Sequence, residues 1–400
     1  LAKRSSKSDE SDRETKRSGK SGEPAKAPWR AGKQLVVVLL QGGPDGLSLV
    51  APTGDPLYPS LRPTTALASG CGGLDLGDGF TLHPALLALT TYYTQKRLAI
   101  VPACAMPGVP ANHAEALAAF AHGGLPGKGS GNGWLGRLAL ALAGGNSQMV
   151  VASQSGVYAG APHYNMLVPP HGPALPGLPV EDQTLFETAS KLFVGQGALE
   201  KAFSSGRKLR QETLAKLLEE SRRASFGALP APAFPEFGER FGRELAKRRD
   251  AALAFLAVGG FDTHSGQGGV KGYLADRLHE TALGLAGLAS GLGKALDDTV
   301  IVALGEFGRS ARENALGGTD NGLGGVMLVL GGPVAGGKLY GDWPGLASHR
   351  LVGGRDLPVT TDWRDVVANI AVRHLGLPEK KVGEVFPGFA PCAAPPAVVA

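Results

Sequence analysis

Asp262 and His264 lie two residues apart in Gly259-Gly260-Phe261-Asp262-Thr263-His264. That spacing sets a carboxylate and an imidazole on one side of an extended segment. Such a pair is half of a metal site, and the plainer reading is a loop Asp beside a hydrogen-bonded His. Further acidic positions occur in Gly-rich settings. Asp45 sits in the turn Gly42-Gly43-Pro44-Asp45-Gly46, where a turn Asp can instead bond its own backbone. Glu306, in Gly305-Glu306-Phe307-Gly308-Arg309, directly ends an apolar run, where an unpaired carboxylate is costly. It either holds a ligand or pairs with Arg309 or Arg312. Asp320 stands in Gly317-Gly318-Thr319-Asp320-Asn321-Gly322, which taken alone is an ordinary polar loop. Together Asp45, Asp262, His264, Glu306 and Asp320 make an oxygen-rich set with one nitrogen donor, able to polarise a phosphoryl or sulfuryl oxygen or to activate a water. In Pro110-Ala111-Asn112-His113-Ala114-Glu115, Asn112 and Glu115 have capping-box spacing with Asn for the usual Ser or Thr. The helix begun there is either plainly capped or offers free N–H groups to an anion.

These residues need a frame that brings them together. Short apolar runs recur at Leu35–Leu40, Leu98–Val101, Met149–Ala152, Leu253–Val258, Thr299–Leu304 and Val326–Leu330. Continuous runs of that length suit strands buried on both faces of a parallel sheet. Helical stretches lie between them, at His113–His122, Trp134–Ala143, Leu199–Ala224, Phe237–Arg249, Tyr273–Leu296 and Asp362–Leu375. The alternation predicts a doubly wound α/β domain with a mostly parallel sheet and helices on both faces. Ligands gather beyond the carboxyl ends of such strands, where most of the polar clusters fall. We expect one large domain over residues 33–400, with the charged stretch at about 199–255 as a helical cap or insertion. Residues 1–32, rich in Lys, Ser, Glu and Gly, are expected to be a disordered basic tail or linker.

Charge narrows the function. The chain carries +5 overall, but residues 1–32 hold nine Lys/Arg against five acids, so the remainder has a net of only +1. A near-neutral body lacks the basic footprint of a nucleic-acid binder. No apolar run approaches the roughly 18 residues of a membrane span. Cys71, Cys104 and Cys392 show no CxxC spacing, and either one bridge (Cys71 to Cys104) or three thiols fits them.

The turn at Asp45, His83–Leu86, Asn112–Glu115, GGFDTH ending at His264, GEFGR ending at Arg309, GGTDNG ending at Gly322 and VFPGF ending at Phe389 resemble the DUF1501 group. These are exported bacterial proteins of unknown function related to the alkaline phosphatase and sulfatase superfamily. The resemblance spans about residues 33–390. It implies a phosphatase-like α/β fold, one or two metal ions, and export to the periplasm or cell envelope. It also implies that Asn112 stands at the nucleophile position, usually Ser-His with the next residue, and that Asn321 stands where an imidazole ligand is usual. An Asn carboxamide has no hydroxyl to activate. Its carbonyl oxygen suits Ca²⁺ or Mg²⁺ better than Zn²⁺.

Two functional readings follow. In the first, Asp45, Asp262, His264, Glu306, Asp320 and Asn321 hold a divalent metal (Ca, Mg, Mn or Zn), and the catalytic positions are Asn112, in the place of the nucleophile, His113 and Arg309. Arg309 neutralises a small anionic ester, and hydrolysis of that phosphate or sulfate ester is weak or unconventional. In the second, the chain is a non-catalytic relative serving as a cell-envelope binding or structural protein.

Overall fold

Residues 34–41 read Gln-Leu-Val-Val-Val-Leu-Leu-Gln, and every one of them is buried. Alternate side chains point to opposite faces of a strand, so a run without a polar face must be covered on both sides. Leu35, Val37 and Leu39 enter a core with Phe120, Trp134, Trp363 and Phe386. Val36, Val38 and Leu40 enter a second core with Phe234, Phe237, Phe241 and Leu285. A computed structural model of the protein describes residues 30–68, 70–125, 131–143, 148–169, 183–195 and 197–399.

The main strands are β1 (Gln34–Gln41), β2 (Leu98–Ala105), β3 (Gln148–Val151), β4 (His163–Met166), β5 (Leu229–Pro230), β6 (Ala251–Gly259), β7 (Thr299–Leu304), β8 (Gly325–Gly331), β9 (Lys338–Leu339) and β10 (Thr361–Asp362). Among the described residues they form a ten-stranded sheet in the order β9-β2-β8-β7-β1-β6-β3-β4, with β10 added to β2 and β5 to β6. β1 runs parallel to both β7 and β6. β8 alone reverses, lying antiparallel to β7 and β2. Its beginning therefore sits at the edge where its neighbours end. The mixed but mostly parallel sheet between two helical layers is the α/β architecture expected from the sequence.

The principal helices are α1 (His113–His122), α2 (Trp134–Ala143), α3 (Ala198–Ala224), α4 (Phe234–Lys247), α5 (Tyr273–Leu292) and α6 (Trp363–Ile370). α4 and α5 approach closely because glycines line the contact. A Cβ on Gly238 would stand 2.4 Å from the Gly284 carbonyl oxygen, and one on Gly242 2.3 Å from that of Leu288. The stretch expected as a cap divides between three layers. α3 is largely exposed, α4 buries Phe234, Phe237 and Phe241, and β6 is a central strand. Of the expected tail, residues 1–29 lie outside the described residues. Arg30 already joins the fold, donating its N–H to Leu375 O at 3.0 Å and Nη1 to Arg373 O at 2.7 Å. All three cysteines are thiols. Among the described residues no helix is long and apolar enough to cross a membrane.

Candidate metal centre

Sheet direction gathers the polar loops at one edge. β1 leads into the turn Gly42–Gly46, β6 into Asp262 and His264, and β7 into Glu306. The antiparallel ribbon Arg309–Glu313/Thr319–Asn321 lies between β7 and the reversed β8. β2 leads to α1, whose start is fixed by Asn112: its side-chain oxygen accepts from Glu115 N at 3.2 Å. That cap aims the next residue, His113, inward.

His113, Asp262 and His264 are all buried, and their donor atoms lie within 4.8 Å of one another. Asp262 Oδ1 is 3.4 Å from His113 Nε2 and 3.2 Å from His264 Nε2, in neither case with hydrogen-bond geometry. Both imidazoles are fixed from behind: His113 Nδ1 meets Glu306 Oε1 at 2.8 Å, and His264 Nδ1 meets Asp320 Oδ1 at 3.1 Å. A carboxylate on the outer nitrogen sets the tautomer and presents the inner nitrogen as a ligand. Left without hydrogen-bond partners are His113 Nε2, His264 Nε2, Asp262 Oδ2, Glu306 Oε2 and Asn321 Oδ1, all buried atoms. Orphaned buried polar atoms are costly, and two bare imidazole nitrogens beside a carboxylate are what a divalent cation satisfies. The residues fit a metal.

Charge in the cluster is strongly coupled. Burial alone pulls the His113 pKa down, but the nearby carboxylates of Asp262 and Glu306 outweigh it and hold the imidazole up at about 9. His264 is likewise raised by Asp262 and Asp320 against burial. Burial pushes the Asp262 carboxyl up, yet the two histidines and Arg309 bring it far below the usual carboxylate range. Asp320 is lowered chiefly by its bond to His264.

Several expected roles change. Asp45 is turned away from the cluster. Both its oxygens are held by Arg62, with Nη2 at 2.9 Å from Oδ1, and Oδ2 also accepts from Ser48 and from Gln267, each at 2.7 Å. Burial works to raise its pKa and Arg62 overrides it. Arg309 has no reach for a substrate: it is fully buried and donates to Gly43 O, Gly42 O, Phe261 O, Thr319 O and Asp262 Oδ1. Glu306 and Asp320 stand behind the histidines. Asn112 caps a helix, and Asn321 contributes an unpartnered Oδ1.

Sequence reasoning passed over Arg62, Gln267, Asn314 and Phe307. Asn314 donates to Asp320 Oδ1 at 2.9 Å and to His264 O at 2.8 Å. Gln267 accepts from the hydroxyls of Thr263 and Thr319, tying the residue between Asp262 and His264 to the one before Asp320. Phe307 lies against the His113 ring, centroids 4.8 Å apart. The available signal was its place beside Glu306.

A cleft of about 630 Å³ opens on this edge. Asn112, His113 and Ala114 form one wall, and Ala215, Lys216, Glu219, Glu220 and Arg223 of α3 form the other. His113 thus borders both the donor cluster and solvent-accessible space.

The sequence profile of a family described as "Protein of unknown function (DUF1501)" matches residues 83–386. The chain belongs to the DUF1501 family. The matched stretch holds His113, Asp262, His264, Glu306 and Asp320 but leaves out the Asp45 turn, so it is narrower than the resemblance of motifs implied. No curated protein matches the sequence. Among solved structures, the C-terminal periplasmic domain of EptC from Escherichia coli, in complex with Zn, is 11% identical, with 91% of this chain and 89% of that one covered at a TM-score of 0.42. The PsFucS1 sulfatase from Pseudoalteromonas sp. is 11% identical over 86% of this chain and 67% of that one, TM-score 0.40. A protein in the alkaline phosphatase superfamily from Vibrio parahaemolyticus is 11% identical over 75% of this DUF1501 chain, which spans 62% of that protein, TM-score 0.35. None of these scores reaches 0.5, and no property of the present chain rests on them.

Proposed function

We propose that this DUF1501 protein is an exported metal-binding protein of hydrolase type, acting weakly or unconventionally on a phosphate or sulfate ester. Its ion is held by His113, Asp262 and His264. One observation carries the reading: two imidazoles, each fixed at Nδ1 by a carboxylate, turn bare Nε2 atoms toward Asp262 in a buried pocket. Two nitrogens and a carboxylate form the protein half of a catalytic zinc site with an open position, which favours Zn²⁺ or Mn²⁺ over Ca²⁺ or Mg²⁺. An ion bound there polarises a phosphoryl or sulfuryl oxygen and makes a water more acidic.

The chain's own residues set the terms of that chemistry. Glu306 and Asp320 keep each Nδ1 occupied, so neither imidazole can turn away. The Asn112 carboxamide is engaged in capping and has no hydroxyl to attack an ester, which supports hydrolysis without a covalent intermediate on the protein. The α1/α3 cleft gives a small anionic ester its approach.

Elemental analysis after exhaustive dialysis, followed by assays on p-nitrophenyl phosphate and p-nitrophenyl sulfate with Zn²⁺, Mn²⁺, Mg²⁺ and Ca²⁺ in turn, tests this. We expect a retained ion and slow turnover of one ester; retention of no ion removes the reading. Asn112 also motivates the second reading, a non-catalytic binding or envelope protein. That reading predicts a retained ion, no turnover by the parent, and activity gained by Asn112→Ser combined with Asn321→His.

A further inference from the structure

The turn after β1 precedes the stretch that the family profile matches, and its acidic residue, held by Arg62, points away from the donor cluster. What the turn gives to the site is backbone. Gly42 N donates to Glu306 Oε1 at 2.9 Å, the same oxygen that meets His113 Nδ1. The Gly42 and Gly43 carbonyls accept from Arg309, whose Nη2 also donates to Asp262 Oδ1 at 2.6 Å. Each link is buried, and each ends on a member of the donor cluster or on the carboxylate behind it.

The glycines are required there sterically. Gly43 has φ +64, and a Cβ on it would stand 2.5 Å from the Phe307 ring. Phe307 in turn packs on the His113 imidazole. A Cβ on Gly42, at φ +112, would meet the Asp262 backbone nitrogen at 2.5 Å. So the turn touches His113 by two routes, through Glu306 and through Phe307, and Asp262 by two more, through Arg309 and by direct contact.

We infer that the Gly42–Gly43 turn and Arg309 form a positioning unit for the metal centre, setting His113 and Asp262 through main-chain groups. The inference rests on the proposed metal reading and deepens it. Arg309 is the joint of the unit. Its guanidinium fork ties Asp262 Oδ1 to the carbonyls of Gly42, Gly43, Phe261 and Thr319, leaving Oδ2 as the oxygen without a partner. Lysine keeps the charge and cannot reproduce that fork.

Zn²⁺ affinity by competition with a chromophoric chelator, and the visible spectrum of the Co²⁺-loaded protein, test it on the full chain. Gly43→Ala, Arg309→Lys and Phe307→Leu are compared with Gly238→Ala, which perturbs packing between α4 and α5 away from the site. We expect the three site variants to bind Zn²⁺ about 10–100-fold more weakly, in the range typical of groups that orient metal ligands. Their Co²⁺ bands should shift, whereas Gly238→Ala lowers the unfolding midpoint but keeps affinity and spectrum. Phe307→Leu preserves an apolar side chain and stands in should the other two fail to fold. Site variants that are folded and bind Zn²⁺ within threefold of the parent overturn the inference. So does Gly238→Ala weakening Zn²⁺ as much as they do, since the loss would then follow stability alone. A parent that takes up neither ion refutes the metal reading beneath it.

Discussion

His113 opens a helix and completes the candidate metal centre, two tasks that share one backbone position because the Asn112 cap fixes where the helix starts. His113→Ala and His264→Ala should each remove a ligand and abolish stoichiometric Zn²⁺ retention, measured by elemental analysis. Glu306→Gln should keep the ion but weaken it by about 10–100-fold, because the group behind the histidine is altered and no ligand is lost. Asp45→Asn should behave in the opposite way. It removes one charge of a fully buried pair with Arg62, so we expect a loss of about 3 kcal/mol in urea unfolding, with metal stoichiometry unchanged. The sequence made Asp262 and His264 legible through their spacing. It could not distinguish Asp45 from them, because the partner that claims Asp45, Arg62, is 17 residues away and carries no motif. Arg309 was misleading for a related reason: four of its five acceptors are main-chain carbonyls, which any residue supplies.

At the level of elements, strands buried on both faces were readable because continuous apolar runs have few other solutions. β7 occupies the expected span Thr299–Leu304, and α1 and α2 likewise match. The stretch from 199 to 255 was harder. Its charge suggested one peripheral unit, yet the aromatic stripe Phe234, Phe237 and Phe241 buries α4 against α5. Their closeness depends on residues without Cβ atoms. Gly238→Ala gains helix propensity of about 1 kcal/mol, but its methyl would sit 2.4 Å from a backbone oxygen that cannot rotate away. Overpacking of this kind costs roughly 1–3 kcal/mol, so we expect net destabilisation of about 1 kcal/mol by urea unfolding. A neutral or stabilising result would mean that the helices separate more freely than their packing indicates.

For the molecule as a whole, acid stability should carry the mark of His374. This side chain is buried in the turn Ala371–Leu375 after α6, with Nε2 3.2 Å from Gln34 O, and burial pushes its pKa down to about 4. In the unfolded chain a histidine titrates near 6.5. Between those values the unfolded state binds the proton first, so stability present in full above pH 6.5 is lost as the pH falls toward 4. The difference amounts to about 3 kcal/mol. His374→Gln should flatten the slope of unfolding free energy against pH across that window; an unchanged slope would place the acid-sensitive group elsewhere.

The reversal of β8 has a consequence for how such a protein can diversify. From the end of β6 the chain runs out along α5, returns by β7, and doubles back through the ribbon before β8 begins at the same edge. Residues 259–325 therefore contain Asp262, His264, Glu306, Arg309, Asn314 and Asp320, while His113 comes from a separate stretch. That span is close to a self-contained cassette. Exchanging it between relatives would transplant most of the candidate site's surroundings in a single recombination event, leaving the outer strands and the cleft wall to the recipient.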